Sequence, residues 1–111
     1  MLIQTRTIVV EKGNADKVIE RFSQEGILDE REGLIDISVM VNKRGKENEE
    51  VVVFIRWESE EDWKNWEKSP EHLQGHRDNK GKQQPEYVIS SNVNMYEVKK
   101  VRKGKFERKG E

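Results

Sequence analysis

The chain of 111 residues contains no cysteine and only two prolines. Without thiols it has no disulfide, no thiolate-held iron or iron–sulfur cluster, no cysteine nucleophile and no c-type haem attachment. A reducing compartment agrees with that usage. Apolar residues are scarce as well. Hydrophobic residues make up 32% and charged residues 39%, and even with the eight glycines the apolar share stays below the roughly 45–50% of an average globular protein. No stretch approaches the length of about 18 apolar residues that a membrane-crossing helix needs. The opening MLIQTRTIVVEKG lacks a basic leader followed by a long apolar segment, so a soluble, cytoplasmic protein without a membrane partner is expected.

The length suits one compact body with at most a tail. A chain of this size buries only about two thirds of the surface that its unfolded form exposes, so a thin core gains much from a subunit that covers one face. A homodimer is the expectation. Charge is unevenly distributed. Residues 99–111, KKVRKGKFERKGE, hold seven Lys/Arg and two Asp/Glu, a net +5 against a whole-chain charge of −1, so residues 1–98 carry −6. An acidic body with a short basic, flexible tail is a poor match to a nucleic-acid binder, whose basic surface lies on the folded part.

Residues 2–10, LIQTRTIVV, are rich in β-branched side chains and predict a strand that stops at Lys12-Gly13. Asn14 is placed to cap a helix running to about Gly26, with Ala15, Val18, Ile19 and Phe22 at helical spacing. LIDISVMVN (34–42) alternates, with Ile35, Ile37, Val39 and Val41 expected on one face. KRGKENEE (43–50) reads as a turn and VVVFIRW (51–57) as a third strand. Ser59 followed by Glu60, Glu61 and Asp62 starts a helix over 60–68, and Ser69-Pro70 breaks it, because proline is favoured at a first helical position. A short helix is expected from Pro70 to about Arg77, then a polar loop over 78–86 and a last strand over 87–98. This β-α-β-β-α-β order is the ferredoxin-like plan, an α+β fold in which an antiparallel four-stranded sheet carries helices on one face. Two such sheets packed face to face make a dimeric α/β barrel.

DWKNWEKSPEHLQGH (62–76) gathers two tryptophans and two histidines around the helix break. Trp57 and Trp63 are expected to pack helix on sheet. Trp66 lies near the break, where a large ring can overhang the gap between helices. His72 and His76 share a helical face, but a catalytic zinc site wants a third protein ligand and no H-E-x-x-H motif is present, so a metal pair is not the expectation. His72 is read as solvated. His76 follows Gly75, and the missing side chain leaves room for a flat, bulky group to approach.

Across residues 1–98 the chain resembles the IsdG-type haem-degrading monooxygenases, in particular their Bacillus branch, within the antibiotic-biosynthesis-monooxygenase superfamily. The segments that carry the resemblance are KGNADKVIERF (12–22), EGLIDISV (32–39) and RWESEEDWKNWEKSPEHLQGH (56–76), with Trp66 and His76 ten residues apart. The resemblance implies a monooxygenase domain over 1–98, with residues 99–111 outside it. It also implies that haem is substrate and cofactor together, with dioxygen and an external electron donor, either a reductase or a small-molecule reductant. By the same resemblance His76 is the axial ligand of the haem iron and Trp66 the wall that distorts the porphyrin. The family's strand asparagine, which donates a hydrogen bond on the oxygen side, is matched by Arg6. Arginine can also donate there, can hold a haem propionate instead, or can be a strand surface residue. Arg77, Lys80 and Lys82 are candidates to neutralise propionates. Two other readings stay open at this level: a protein that holds haem without opening it, and a cofactor-free oxygenase of a small aromatic or quinol in which His76 acts as a base.

Overall fold

The computed structural model of the chain describes residues 1–45, 47–79, 81 and 83–107. Strand β1 (Leu2–Glu11), helix α1 (Ala15–Phe22), strands β2 (Leu34–Val41) and β3 (Asn48–Trp57), helices α2 (Glu60–Glu67) and α3 (Pro70–Asn79) and strand β4 (Val88–Glu97) follow in that order. The sheet is antiparallel throughout, in the order β2-β3-β1-β4, so the first and third strands form its centre. This is the expected ferredoxin-like plan. Residues 99–107 contain no helix or strand. Among the described residues no helix is long and apolar enough to cross a membrane.

Helix α1 ends at Phe22 and not near Gly26, with Ser23 Oγ turned back onto the Ile19 carbonyl. A separate 3₁₀ turn, Ile27–Glu30, occupies the connection. The cap of α1 also differs from expectation. The Asn14 amide donates backwards to the Glu11 carbonyl, and the free N–H groups of Gly13 and Ala15 are taken instead by the Glu49 carboxylate from β3. Those amides hold the Glu49 carboxyl below the usual carboxylate range. Because Glu49 belongs to β3, that strand starts three residues before Val51, at the expense of the turn.

The α2 cap is as expected, with Ser59 Oγ accepting from the Asp62 N–H at 3.1 Å. The same hydroxyl donates to the Asp62 carboxylate at 2.8 Å. That carboxylate fills the space beside Gly33, whose φ of +86° few other residues adopt.

The core lies between sheet and α1: Ile8, Val10, Ala15, Val18 and Val51, with Ile19, Phe22, Val39 and Val88 packed against them. Trp57 is wholly buried. In β2 the alternation breaks at a register shift between Leu34 and Asp36, which leaves Ile35 out of phase and 38% exposed. The pairing puts Arg6, Val53 and Val39 on the helix side, and Thr5, Thr7, Phe54 and Val52 on the opposite face. On that opposite face Arg56 and Asp36 form a two-armed ion pair, and the hydrogen bonds from Arg56 hold the Asp36 carboxyl below its ordinary value.

Candidate functional site

Burial of one sheet face is incomplete. The helices diverge, and the gap between α1 and the α2–α3 corner is a cleft of about 440 Å³, within the roughly 300–1,000 Å³ of ordinary ligand pockets. Its floor is the sheet, through Arg6, Val53 and Ile55, and its walls include Phe22 and Leu28 on one side and Trp66 on the other.

The corner is built by Ser69, which is 5% exposed. Its hydroxyl donates to the Trp66 carbonyl at 2.7 Å and accepts from the His72 N–H at 3.2 Å, so it closes α2 and caps α3 with Pro70 as the first helical residue. The turn sets Trp66 against His72, edge to face with ring centroids 5.0 Å apart. The Arg31 guanidinium also lies over the indole, 5.6 Å from the ring centroid. Arg31 is tied in turn to Glu71 at 3.8 Å. Trp66 is thereby braced by Arg31 and His72, not left free to swing.

The sequence-predicted residues fall into three places. Trp66 and Arg6 line the same cleft although they are sixty residues apart. His76 is exposed and lines a shallower depression of about 230 Å³ on the outer side of Trp66, together with Gly75. A side chain at Gly75 would meet nothing there, in keeping with the room expected beside the imidazole. Arg77 is exposed on α3 and is not among the residues that line the cleft. Lys80 and Lys82 lie outside the described residues.

His72 corrects the expectation of a solvated side chain. It is 18% exposed and lines both the cleft and the outer depression, so with Trp66 it forms the partition between them. Its Nε2 lies 2.9 Å from Glu67 Oε2 and 2.9 Å from His76 Nε2. Glu67 thus supplies the third group beside the histidine pair that the linear spacing alone lacked. Arg21, from α1, lines the cleft opposite Trp66 and gives it a second guanidinium beside Arg6. Arg21 lies outside the apolar spacing of Ala15, Val18, Ile19 and Phe22, and no sequence signal aims it at a cleft.

Comparison with known proteins agrees with this architecture. Residues 1–78 match the antibiotic biosynthesis monooxygenase family. The haem-degrading monooxygenase HmoA of Bacillus subtilis is 54% identical over 106 residues, which span 96% of this chain and 98% of that one. A crystal structure of a candidate antibiotic biosynthesis monooxygenase from Bacillus cereus superposes with a TM-score of 0.80 at 46% identity, over 93% of this chain and 97% of its own. The haem-degrader MhuD of Mycobacterium tuberculosis, solved with two haems in its active site, shares the fold at a TM-score of 0.63 and 20% identity, over 88% and 95% of the two chains. The sheet order, the helix break at Ser69-Pro70 and the sequence over residues 1–78 together make this chain a member of the antibiotic biosynthesis monooxygenase family.

Proposed function

We propose that the chain is a haem-degrading monooxygenase, which binds haem, opens the porphyrin ring with dioxygen and an external electron donor, and releases iron. The observation that carries this reading is the 54% identity, over 96% of this chain, to a protein of that activity. The cleft supports it. Apolar side chains from α1 and the sheet, with a tryptophan wall, suit a flat apolar ring, and the guanidiniums of Arg6 and Arg21 suit its carboxylates.

Bound haem supplies the iron that activates dioxygen and is itself the molecule oxidised. The chain's own residues bind, shape and orient it. His76 would hold the haem iron: imidazole is a good iron ligand, and the exposed side chain stands beside Trp66 and His72 at the rim of the cleft. Trp66, braced by His72 and Arg31, presses a rigid plane on the ring where a flexible side chain would yield. Arg6, on the floor of the cleft, would donate a hydrogen bond to bound dioxygen or hold a propionate, and Arg77, with Lys80 and Lys82 further along the sequence, would neutralise propionates. The functional unit is a homodimer, cytoplasmic, joined through the sheet face that carries Thr5, Thr7, Val52 and Phe54, which are half-buried and, among the described residues, covered by no helix. Electrons come from a reductase or a small-molecule reductant.

The test is a haemin titration followed by turnover. A Soret band shifted from that of free haemin is expected, and ascorbate in air with catalase present should then bleach it and release chelatable iron. A shifted band that persists through turnover conditions would leave a haem-holding protein, and no shift at all would remove haem from the reading.

A further inference from the structure

The α2–α3 corner brings together three side chains able to ligate a metal ion. Glu67 is the last residue of α2, His72 lies in the first turn of α3, and His76 is one turn further on the same face. Their ligating atoms all lie within 4.8 Å of one another. The hydrogen bonding among them is incomplete. An imidazole nitrogen offers either one hydrogen or one lone pair, yet Nε2 of His72 has two polar neighbours at 2.9 Å, the Glu67 carboxylate and Nε2 of His76. A hydrogen directed at one of them leaves the other contact unmade. A cation bound among them resolves this, because it takes one lone pair from each.

The distances suit such an ion. Ligands held about 2.0–2.1 Å from a metal stand about 2.9 Å apart at right angles and about 3.3 Å apart in a tetrahedron. The two spacings of 2.9 Å therefore need at most a few tenths of an ångström of opening, and the third pair, Glu67 and His76, lies within 4.8 Å and closes onto the ion by about 1.5 Å at most. We propose that Glu67, His72 and His76 form a binding site for a borderline divalent cation of the zinc class, with an open coordination position, and that this cation competes with haem iron for His76. The two-imidazole, one-carboxylate set selects zinc, cobalt, nickel or copper over magnesium or calcium, which prefer oxygen ligands. Glu67 carries the negative charge that offsets the ion. The competition rests on the haem reading given above; the cation site does not.

The experiment is a zinc titration of the full, tag-free chain without haemin, read by calorimetry and by competition with a chromophoric chelator, with magnesium as control. One zinc per chain is expected, with affinity at least tenfold weaker in both His72→Ala and Glu67→Gln, each checked by circular dichroism to be folded. Cobalt should show visible d–d absorption that the same substitutions remove. No zinc binding, or binding that both variants leave unchanged, overturns the site. A haemin titration with and without saturating zinc tests the rest. At least a tenfold loss of apparent haemin affinity with zinc, absent in His72→Ala, supports the shared ligand. Haemin affinity indifferent to zinc overturns the competition and leaves the site to the first titration. If haemin does not bind even without zinc, the haem reading and the competition fall together, and the zinc titration still decides the site.

Discussion

The hydroxyl of Ser69 donates to the carbonyl of Trp66 at 2.7 Å. It closes one helix with that bond and opens the next by accepting from the His72 N–H, so one buried side chain sets the angle at which Trp66 meets His72. Ser69→Ala should therefore act on stability and on site geometry together. Loss of the cap predicts a destabilisation of about 1 kcal/mol, measured as a lower urea midpoint with an unchanged m-value. An unchanged midpoint would mean that the corner is held by packing alone.

Trp66 is in contact with both Arg31 and His72, and its function in the proposal is to impose shape, not to ligate. Trp66→Ala is expected to keep a shifted Soret band while turnover falls roughly tenfold or more, since misplacement of a reacting group by about 1 Å can cost 10²-fold. Single-turnover decay of the band in air with ascorbate measures this. A variant that turns over at the wild-type rate would leave Trp66 a packing residue.

Gly33 has two reasons to be glycine, a φ of +86° and the Asp62 carboxylate lying where a Cβ would be built. Gly13 has only the first, with a φ of +92° and open space around it. Gly33→Ala should cost about 1–3 kcal/mol through strain and overlap, and Gly13→Ala distinctly less. Chemical denaturation of the two variants side by side separates conformational strain from crowding at the α2 cap.

The Glu49 carboxylate accepts from the backbone amides of Ala15 and Gly13, which lowers its pKa. A carboxyl whose folded value is depressed contributes stability above its unfolded pKa, about 4.3 for glutamate, and loses that contribution as pH falls through the folded value. Glu49→Gln should lower the melting temperature at neutral pH and flatten its decline toward acid. Asp36, lowered in the same sense by Arg56, leaves part of the decline in place. Melting curves from pH 7 to pH 3 check both effects.

Much of the molecule is legible in the linear order. The β-branched run at 2–10, the S-E-E-D start at Ser59 and the Ser69-Pro70 break each depend on neighbours within one turn of chain, and all three stand in the structure where the pattern puts them. The cap of α1 and the start of β3 differ from the linear pattern for a common reason. Asn14 has the right chemistry for a cap, but Glu49, thirty-four residues beyond Ala15, reaches the same amides with a full charge. The β3 residue that supplies it therefore belongs to the sheet and not to the turn.

The same division runs through the site. Trp66 and His76 are conspicuous in the sequence because large rings are rare in so polar a chain and their spacing across a proline break resembles a known pattern. His72 read as solvent because a first-turn histidine beside a glutamate usually is, and only the corner at Ser69 turns it inward onto Trp66. By itself the sequence determined the element order, the helix break and the rings on either side of it, because periodicity, capping and proline geometry are local. That Arg6, Arg21 and Trp66 share one cleft, and that Glu67, His72 and His76 form one cluster, was decided only by the tertiary structure. Strand register and the crossing of helices over the sheet depend on burial, which is a property of the whole chain and not of any window of it.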